Sequence, residues 1–83
     1  MIDIIKLMEL AAERIRPYLP DMYELDDFSW GEDIFQIRVF NCSRLENYRP
    51  VDTFRFGRDS GESDEEMMAR FERKVQDFAE SWR

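Results

Sequence analysis

The sequence predicts an α+β domain in the order helix–β–β–β–helix, with a three-stranded antiparallel sheet and both helices packed on one face of it. Three observations predict this fold. Apolar residues recur every three or four positions at both ends of the chain, they alternate with polar residues in the middle, and turn-forming residues separate the segments. The 83 residues leave room for one small domain, residues 1–83. Placing both helices on one face is the simplest way to bury two apolar helix stripes and one sheet face.

The first helix is predicted over residues 3–16, with Asp3 as a suitable N-cap residue. Pro17 and Pro20 end this element, because the residue before a proline avoids helical backbone angles. The apolar stripe of this helix comprises Ile4, Met8, Ala11 and Ile15.

Three strand-like runs follow the first helix. In the first run, MYELDDFSW, Tyr23 and Leu25 belong to one alternation, whereas Phe28 and Trp30 belong to the other. One extra residue reverses the side that a strand residue faces, so a bulge or a break is expected at Asp26–Asp27.

The second and third runs, IFQIRVF and VDTFRF, alternate without interruption. The short segment GED is predicted to connect the first two runs as a hairpin, and NCSRLENYRP is predicted to be a loop. The aromatic and aliphatic side is expected to face the core. The residues on the core side are Phe35, Ile37, Val39, Phe54 and Phe56. The residues expected on the outward side are Gln36, Arg38, Phe40, Thr53 and Arg55.

The segment DSGESDEE precedes the last helix. Ser63 stands three residues before Glu66, which is the capping-box pattern, and acidic residues fill the first turn, where they are stabilised by unpaired backbone N–H groups. The segment therefore predicts a loop that runs into a capped helix. Phosphorylation of Ser63 stays open as an alternative, whereas the spacing does not fit a calcium-binding loop. The helix stripe, expected in the core, comprises Met67, Met68, Phe71, Val75, Phe78 and Trp82.

The composition excludes several classes of activity. The chain has no histidine, so the usual general base and zinc ligand are missing, and Cys42 is its single cysteine. Cys42 is interpreted as a structural residue. We expect no enzymatic activity, cofactor or metal. No apolar run is long enough to cross a membrane, and the N-terminal segment is not typical of a signal peptide, so a cytoplasmic location without membrane partners is expected.

Charge is unevenly distributed along the chain, whose net charge is −7. Residues 21–33 contain six acids and no base, residues 34–58 contain five arginines and two acids, and residues 59–66 contain five acids. Acidic segments repel nucleic acid and favour basic protein partners. The alternative is that acidic and arginine-containing segments lie side by side in the fold and cancel.

The element order resembles that of the double-stranded-RNA-binding domain. In that family the last helix begins with basic residues that bind phosphates. Here the same position reads SDEEMMAR, whose acids repel phosphate, so we expect no direct binding of nucleic acid.

The segments DMYELDD, GED and DSGESDEE give the chain a second resemblance, in length, layout and charge, to small acidic phage-encoded anti-defence proteins such as acidic anti-CRISPR inhibitors. Some members of that group imitate DNA. The resemblance implies an inhibitor whose acids take the place of phosphates in a basic nucleic-acid-binding site of a partner protein. The implied partner-binding residues are Asp21, Glu24, Asp26, Asp27, Glu32, Asp33, Asp59, Glu62, Asp64 and Glu65.

Two further hypotheses remain. The chain could be a self-associating module that buries its spare sheet face, or the outer surface of its last helix, in a homodimer. It could also be an enzyme with paired carboxylates, Asp26 with Asp27 or Asp64 with Glu65. The last hypothesis is the least favoured, because adjacent strand residues face opposite ways.

Overall fold

The computed structural model describes residues 2–43 and 49–83, and it has the predicted element order. Its elements are α1 (Ile4–Ile15), a short 3-10 helix (Arg16–Tyr18), β1 (Tyr23–Trp30), β2 (Ile34–Asn41), β3 (Asp52–Gly57) and α2 (Asp64–Glu80). The α+β class and the order helix–β–β–β–helix are therefore confirmed. Residues 44–48 of the predicted loop lie outside the described residues.

The three strands form one antiparallel sheet in the order β1–β2–β3. β1 and β2 are joined at Gly31–Asp33, the predicted hairpin, and Trp30 pairs with Ile34 across this turn. Gly31 has a φ of +60°, a left-handed conformation that glycine adopts without steric cost. The turn therefore sets the register of the hairpin.

β1 passes through Asp26–Asp27 without a bulge, so the predicted break is wrong. All eight residues of β1 pair one-to-one with β2. Successive strand residues face opposite sides of a sheet, and Leu25 and Asp27 consequently share the side of the core. Phe28 and Trp30 share the opposite side. The alternation changes in the sequence because the first half of β1 carries its apolar residues on the core face, whereas the second half carries them on the opposite face.

The core lies between one face of the sheet and both helices, as predicted. α1 packs mainly on β2 and β1, and α2 packs on α1 and β3. Edge-to-face ring pairs join the sheet to α2, with centroids 5.4 Å apart for Phe56–Phe71 and for Phe54–Phe78. Each such side chain contributes about 1.5–3 kcal/mol by leaving water. The buried apolar strand residues are Phe35, Ile37, Val39, Phe54 and Phe56, and Gln36, which faces the opposite side of the sheet, is buried as well. The buried helix residues are Ile4, Leu7, Met8, Ala11, Ile15, Met67, Phe71, Val75 and Ala79.

Both helices begin with a side-chain cap. The Asp3 carboxylate accepts a hydrogen bond from the backbone N–H of Ile5 at 3.0 Å. The Ser63 hydroxyl accepts one from the backbone N–H of Glu66 at 3.1 Å and donates to the Glu66 carboxylate at 3.1 Å. The prediction that DSGESDEE is a loop running into a capped helix is confirmed.

Trp82 differs from its predicted position in the core. It follows the end of α2, is half-buried and lies outside the core cluster, whereas Phe78 packs against that cluster. The Trp82 ring stands edge-to-face on Tyr23 with centroids 5.1 Å apart, and its indole N–H donates to the Asp52 carboxylate at 3.1 Å. Trp82 therefore attaches the segment after α2 to the ends of β1 and β3.

The helices of the described residues are shorter than a bilayer span. α1 has 12 residues and α2 has 17, whereas a spanning helix needs about 20 apolar residues. Within residues 2–43 and 49–83, no helix is long and apolar enough to cross a membrane.

The cap of α2 generates a stability prediction. We expect Ser63→Ala to lower the free energy of unfolding by about 1 kcal/mol, because the N–H of Glu66 loses its acceptor. Ser63→Asp should retain most of the stability, since aspartate is an equally good N-cap residue. Urea unfolding followed by circular dichroism measures both effects. Ser60→Ala, in the same loop, is the control, and an equal loss in that variant would contradict the assignment of the cap.

Candidate functional site

Within residues 2–43 and 49–83, at least four of the ten predicted partner-binding acids are paired with arginines. The most buried pair joins Arg70 of α2 to Glu62 of the preceding loop, with side chains only 17% and 12% exposed. Both nitrogen–oxygen contacts between Arg70 and Glu62 are 2.9 Å. Arg70 also donates to the carbonyl of Gly57, lies 4.3 Å from the ring centroid of Phe56, and has the Asp59 carboxylate at 3.6 Å. Arg70 therefore holds the loop before α2 against the sheet.

Arg58 pairs with another predicted acid. Its Nε lies 3.6 Å from the carboxylate of Asp33, and its backbone N–H donates to the Asp33 carbonyl at 2.8 Å. Its guanidinium also donates to the carbonyl of Ile2 and contacts the sulfur of Met67. Arg58 thus links the hairpin turn to the chain segments that precede α1 and begin α2.

Arg38 pairs with Asp26 directly across β1 and β2. Two parallel contacts, of 2.9 and 2.5 Å, join the guanidinium to the carboxylate. The guanidinium also lies 5.1 Å from the ring centroid of Phe28 and 5.2 Å from that of Phe40. Such cation–π contacts attract the guanidinium to the face of each ring. Acids and arginines therefore do lie side by side at three places, as the alternative to a free acidic surface predicts.

The remaining predicted acids lie at three places. Asp64 and Glu65 are exposed in the first turn of α2. Glu24 pairs with Phe40 and lies, like Asp26, on the side of the sheet opposite the helices. The others lie along β1 or beside it, on the side of the molecule where α1 packs, which we call the acidic edge. Its residues are Glu9, Glu13, Asp21, Asp27 and Glu32.

The acidic edge has two shallow grooves that connect α1 to β1 and its hairpin. Asp27 lines one of them together with Glu9, Glu13 and the base Arg16. Glu32 lines the other, beside the residues that begin α1. Among the described residues, the five acids of this edge have no arginine or lysine in ion-pair contact. They therefore form an accessible negative surface.

The candidate carboxylate pairs do not form a catalytic arrangement in this fold. Asp26 and Asp27 face opposite sides of the sheet, and Asp26 is bound to Arg38. Asp64 and Glu65 are consecutive exposed residues at the start of a helix. In the part of the chain that the structure describes, no three acidic, cysteine or histidine side chains are grouped closely enough to hold a metal ion.

Cys42, which the sequence analysis interprets as a structural residue, is exposed. It follows β2 immediately and stands near Glu24 at the end of the sheet. Partial desolvation and the neighbouring Glu24 carboxylate raise the pKa of the Cys42 thiol. The thiol therefore stays protonated over a wider pH range, which disfavours the reactive thiolate.

The sequence predicts only some of the residues on the outer sheet face. Its residues are Glu24, Asp26, Phe28 and Trp30 of β1, Ile34, Gln36, Arg38 and Phe40 of β2, and Thr53, Arg55 and Gly57 of β3. The predicted break in β1 hid the contribution of Phe28 and Trp30, whose rings stand edge-to-face with centroids 4.5 Å apart. Counting residue by residue from the GED turn places Phe28 and Trp30 on this face, because Trp30 then pairs with Ile34.

No protein-family model matches the chain, and no curated protein or solved structure matches it either. The resemblance to small acidic anti-defence proteins therefore stays a prediction.

The Arg70–Glu62 pair generates a prediction about pH. Hydrogen bonding to Arg70 lowers the pKa of Glu62 below its ordinary value of 4.5. A carboxylate whose pKa is lower in the folded state stabilises the fold above its unfolded pKa, and this stability is lost as the pH falls through the folded pKa. We therefore expect Glu62→Gln to reduce stability at pH 7 and to flatten the loss of stability below pH 4.5.

Thermal unfolding at a series of pH values measures this effect. Glu32→Gln is the matched control, because Glu32 is exposed and has no cationic partner among the described residues. Identical pH profiles for Glu62→Gln and the unchanged chain would show that the pair adds nothing to stability.

Proposed function

We propose that the chain is a non-enzymatic protein-binding module whose acidic edge docks on a basic nucleic-acid-binding site of a partner protein. The observation that carries this proposal is the separation of charge across the sheet. Five acids line the side of α1 and β1, where Arg16 is the base in one groove and Arg58 is the base in the other. Four bases and one acid line a groove at the β3 side, namely Arg55, Arg58, Arg70 and Lys74 with Asp59. The acids that face the partner are thus separate from those that stabilise the fold.

The density of charge on the acidic edge fits a protein that competes with DNA at moderate affinity. β1 has eight residues and is about 26 Å long at 3.3 Å per residue. Of the acids of the edge, Asp27 lies within that length, Glu9 and Glu13 lie on α1, and Asp21 and Glu32 flank the strand. The charges are therefore much sparser than those of duplex DNA, which carries one per ~1.7 Å. A basic groove releases counterions when it binds DNA, and it releases fewer of them when it binds this edge. Added salt will therefore weaken the complex with this edge less steeply than the complex with DNA.

The absence of histidine from the sequence and the opposite directions of Asp26 and Asp27 support a role without catalysis. Inhibition would then follow from occupancy of the partner's site. Because the acids of the edge are exposed, their attraction to a partner acts over about 8 Å at physiological ionic strength. Binding therefore depends on a partner surface that brings several cations close at once.

The experiment is affinity capture of partners by the immobilised chain from a nuclease-treated lysate of its source cells. We expect a basic nucleic-acid-handling protein to be retained and to be released by salt and by added DNA. The double substitution Asp27→Asn with Glu32→Gln should abolish retention, because it removes two charges from the acidic edge.

The matched control is Asp77→Asn with Glu80→Gln, which removes two charges from the exposed side of α2. Retention that both double variants lose equally, or that DNA does not displace, would rule out docking by the acidic edge. Failure of the unchanged chain to retain any basic protein would rule it out as well.

A further inference from the structure

The outer sheet face is not covered by either helix, and it collects large apolar side chains. Trp30 is 50% exposed and Ile34 is 45% exposed. They are neighbours across the hairpin, and Phe28 stands against the Trp30 ring. The outer surface of α2 offers no comparable group, because its apolar stripe packs into the core. Of the two surfaces considered for self-association, the sheet face is therefore the one available.

The outer sheet face is also free of the net negative charge by which two copies of this acidic chain repel each other. It carries two acids, Glu24 and Asp26, and two arginines, Arg38 and Arg55, so its formal charge is zero, whereas the chain carries −7. Arg38 and Asp26 neutralise one another within each copy. A second copy, which has the same charge of −7, can consequently approach this face without the repulsion met elsewhere.

The two ends of one row of this face differ in size. Trp30, Ile34 and Gly57 occupy the row across the three strands, with a large ring at the β1 end and no side chain at the β3 end, where the Ile34 side chain lies close to Gly57. A groove of about 580 Å³ lies at Gly57, lined by Trp30 and Ile34 of the same copy and by Arg55 and Lys74. A two-fold axis parallel to the strands and above β2 places β1 of one copy over β3 of the other. Each Trp30 then lies opposite the groove at Gly57 of the second copy.

The same axis pairs a second set of groups. Phe28 and Arg55 occupy the ends of the next row, so each Phe28 lies opposite Arg55 of the second copy. The Nε of Arg55 donates to Gln36 at 2.8 Å within its own chain, and that bond holds the guanidinium on the outer face. Its remaining N–H groups can point at an aromatic ring. Tryptophan and arginine are the residues most enriched at the energetic centres of interfaces.

We propose that two copies of the chain form a two-fold dimer through their outer sheet faces, with Trp30 of each copy seated in the groove at Gly57 of the other. Each outward position covers about 32 Å² of sheet. The face therefore buries roughly 350 Å² per copy, below the ~800 Å² of a standard interface. The dimer is accordingly reversible and depends on concentration.

Sedimentation velocity of the full chain over a wide concentration range tests the dimer. We expect a shift from the 10.1 kDa monomer toward twice that mass as concentration rises, with little effect of added salt because the face is neutral. Trp30→Gln should weaken dimerisation at least about tenfold by removing the central ring. Arg55→Glu should do so as well, since it removes the cation opposite Phe28 and gives the face a net negative charge.

Leu10→Gln is the matched control, because Leu10 is 41% exposed on α1, in the opposite layer. Circular dichroism of each variant verifies that it is folded. In Trp82→Phe, Trp30 is the single tryptophan, and its fluorescence should become less accessible to acrylamide as concentration rises. A monomer at every concentration, a dimer that Trp30→Gln leaves intact, or equal loss in Leu10→Gln would each overturn the proposal. Since the acidic-edge variants are at other positions, failure here leaves the docking proposal to its own test.

Discussion

The register of the β1–β2 hairpin decides where most of the chemically distinctive side chains lie. Because Trp30 pairs with Ile34 and β1 has no bulge, every second residue of β1 is committed to the core side or the outer side. A shift by one residue would turn Phe28 and Trp30 toward the helices and Asp27 outward. It would also separate Asp26 from Arg38. Core, acidic edge and outer sheet face therefore depend on one turn that Gly31 makes possible.

Arginines divide the acids of this chain into two groups. Arg38, Arg58 and Arg70 each bind acids and also contact aromatic rings, a backbone carbonyl or both. The ion pairs differ in how much they contribute to the free energy of unfolding. The Arg14–Glu72 pair, with side chains 43% and 45% exposed, contributes at most about 1 kcal/mol. The Arg70–Glu62 pair is far less exposed, and loss of one partner would leave a charge that water solvates poorly.

Local signals in the sequence predicted most of the fold. The caps at Asp3 and Ser63, the helical stripes and the alternation in β2 and β3 each depend on residues a few positions apart, and the structure has all of them. β1 was harder to predict because it is an edge strand, and an edge strand need not bury one face continuously. Its second half carries its apolar residues outward, where Phe28 meets the guanidinium of Arg38.

The candidate surfaces were less predictable than the fold, for a related reason. Glu62 and Arg70 are eight residues apart and Asp26 and Arg38 are twelve apart. No short-range pattern indicates which acid an arginine will bind. The list of ten acids therefore mixed those that hold the fold with those that remain accessible. The position of Trp82 was mispredicted for the same reason. Its helical spacing continues past the end of α2, where its contacts with Tyr23 and Asp52 fix the ring.

The position of Asp27 connects the two surfaces. It points toward the helix side on an edge strand, and inward charges of this kind oppose the addition of another strand to a sheet edge. Two β1 edges would also bring Glu24, Asp26 and Asp27 of both copies together. Association of copies is thereby directed away from the edge and toward the neutral outer face.

A dimer formed through that face keeps both acidic edges exposed. Because the two-fold axis runs along the strands, the edges lie on opposite sides of the assembly. A partner with two basic sites could then engage both edges, and the second contact would form at the effective concentration set by the first. Weak charge attraction at each edge can in this way give stable occupancy, provided that the partner's sites match the spacing of the edges. The fold thus separates self-association from partner binding by assigning them to different sides of a single strand.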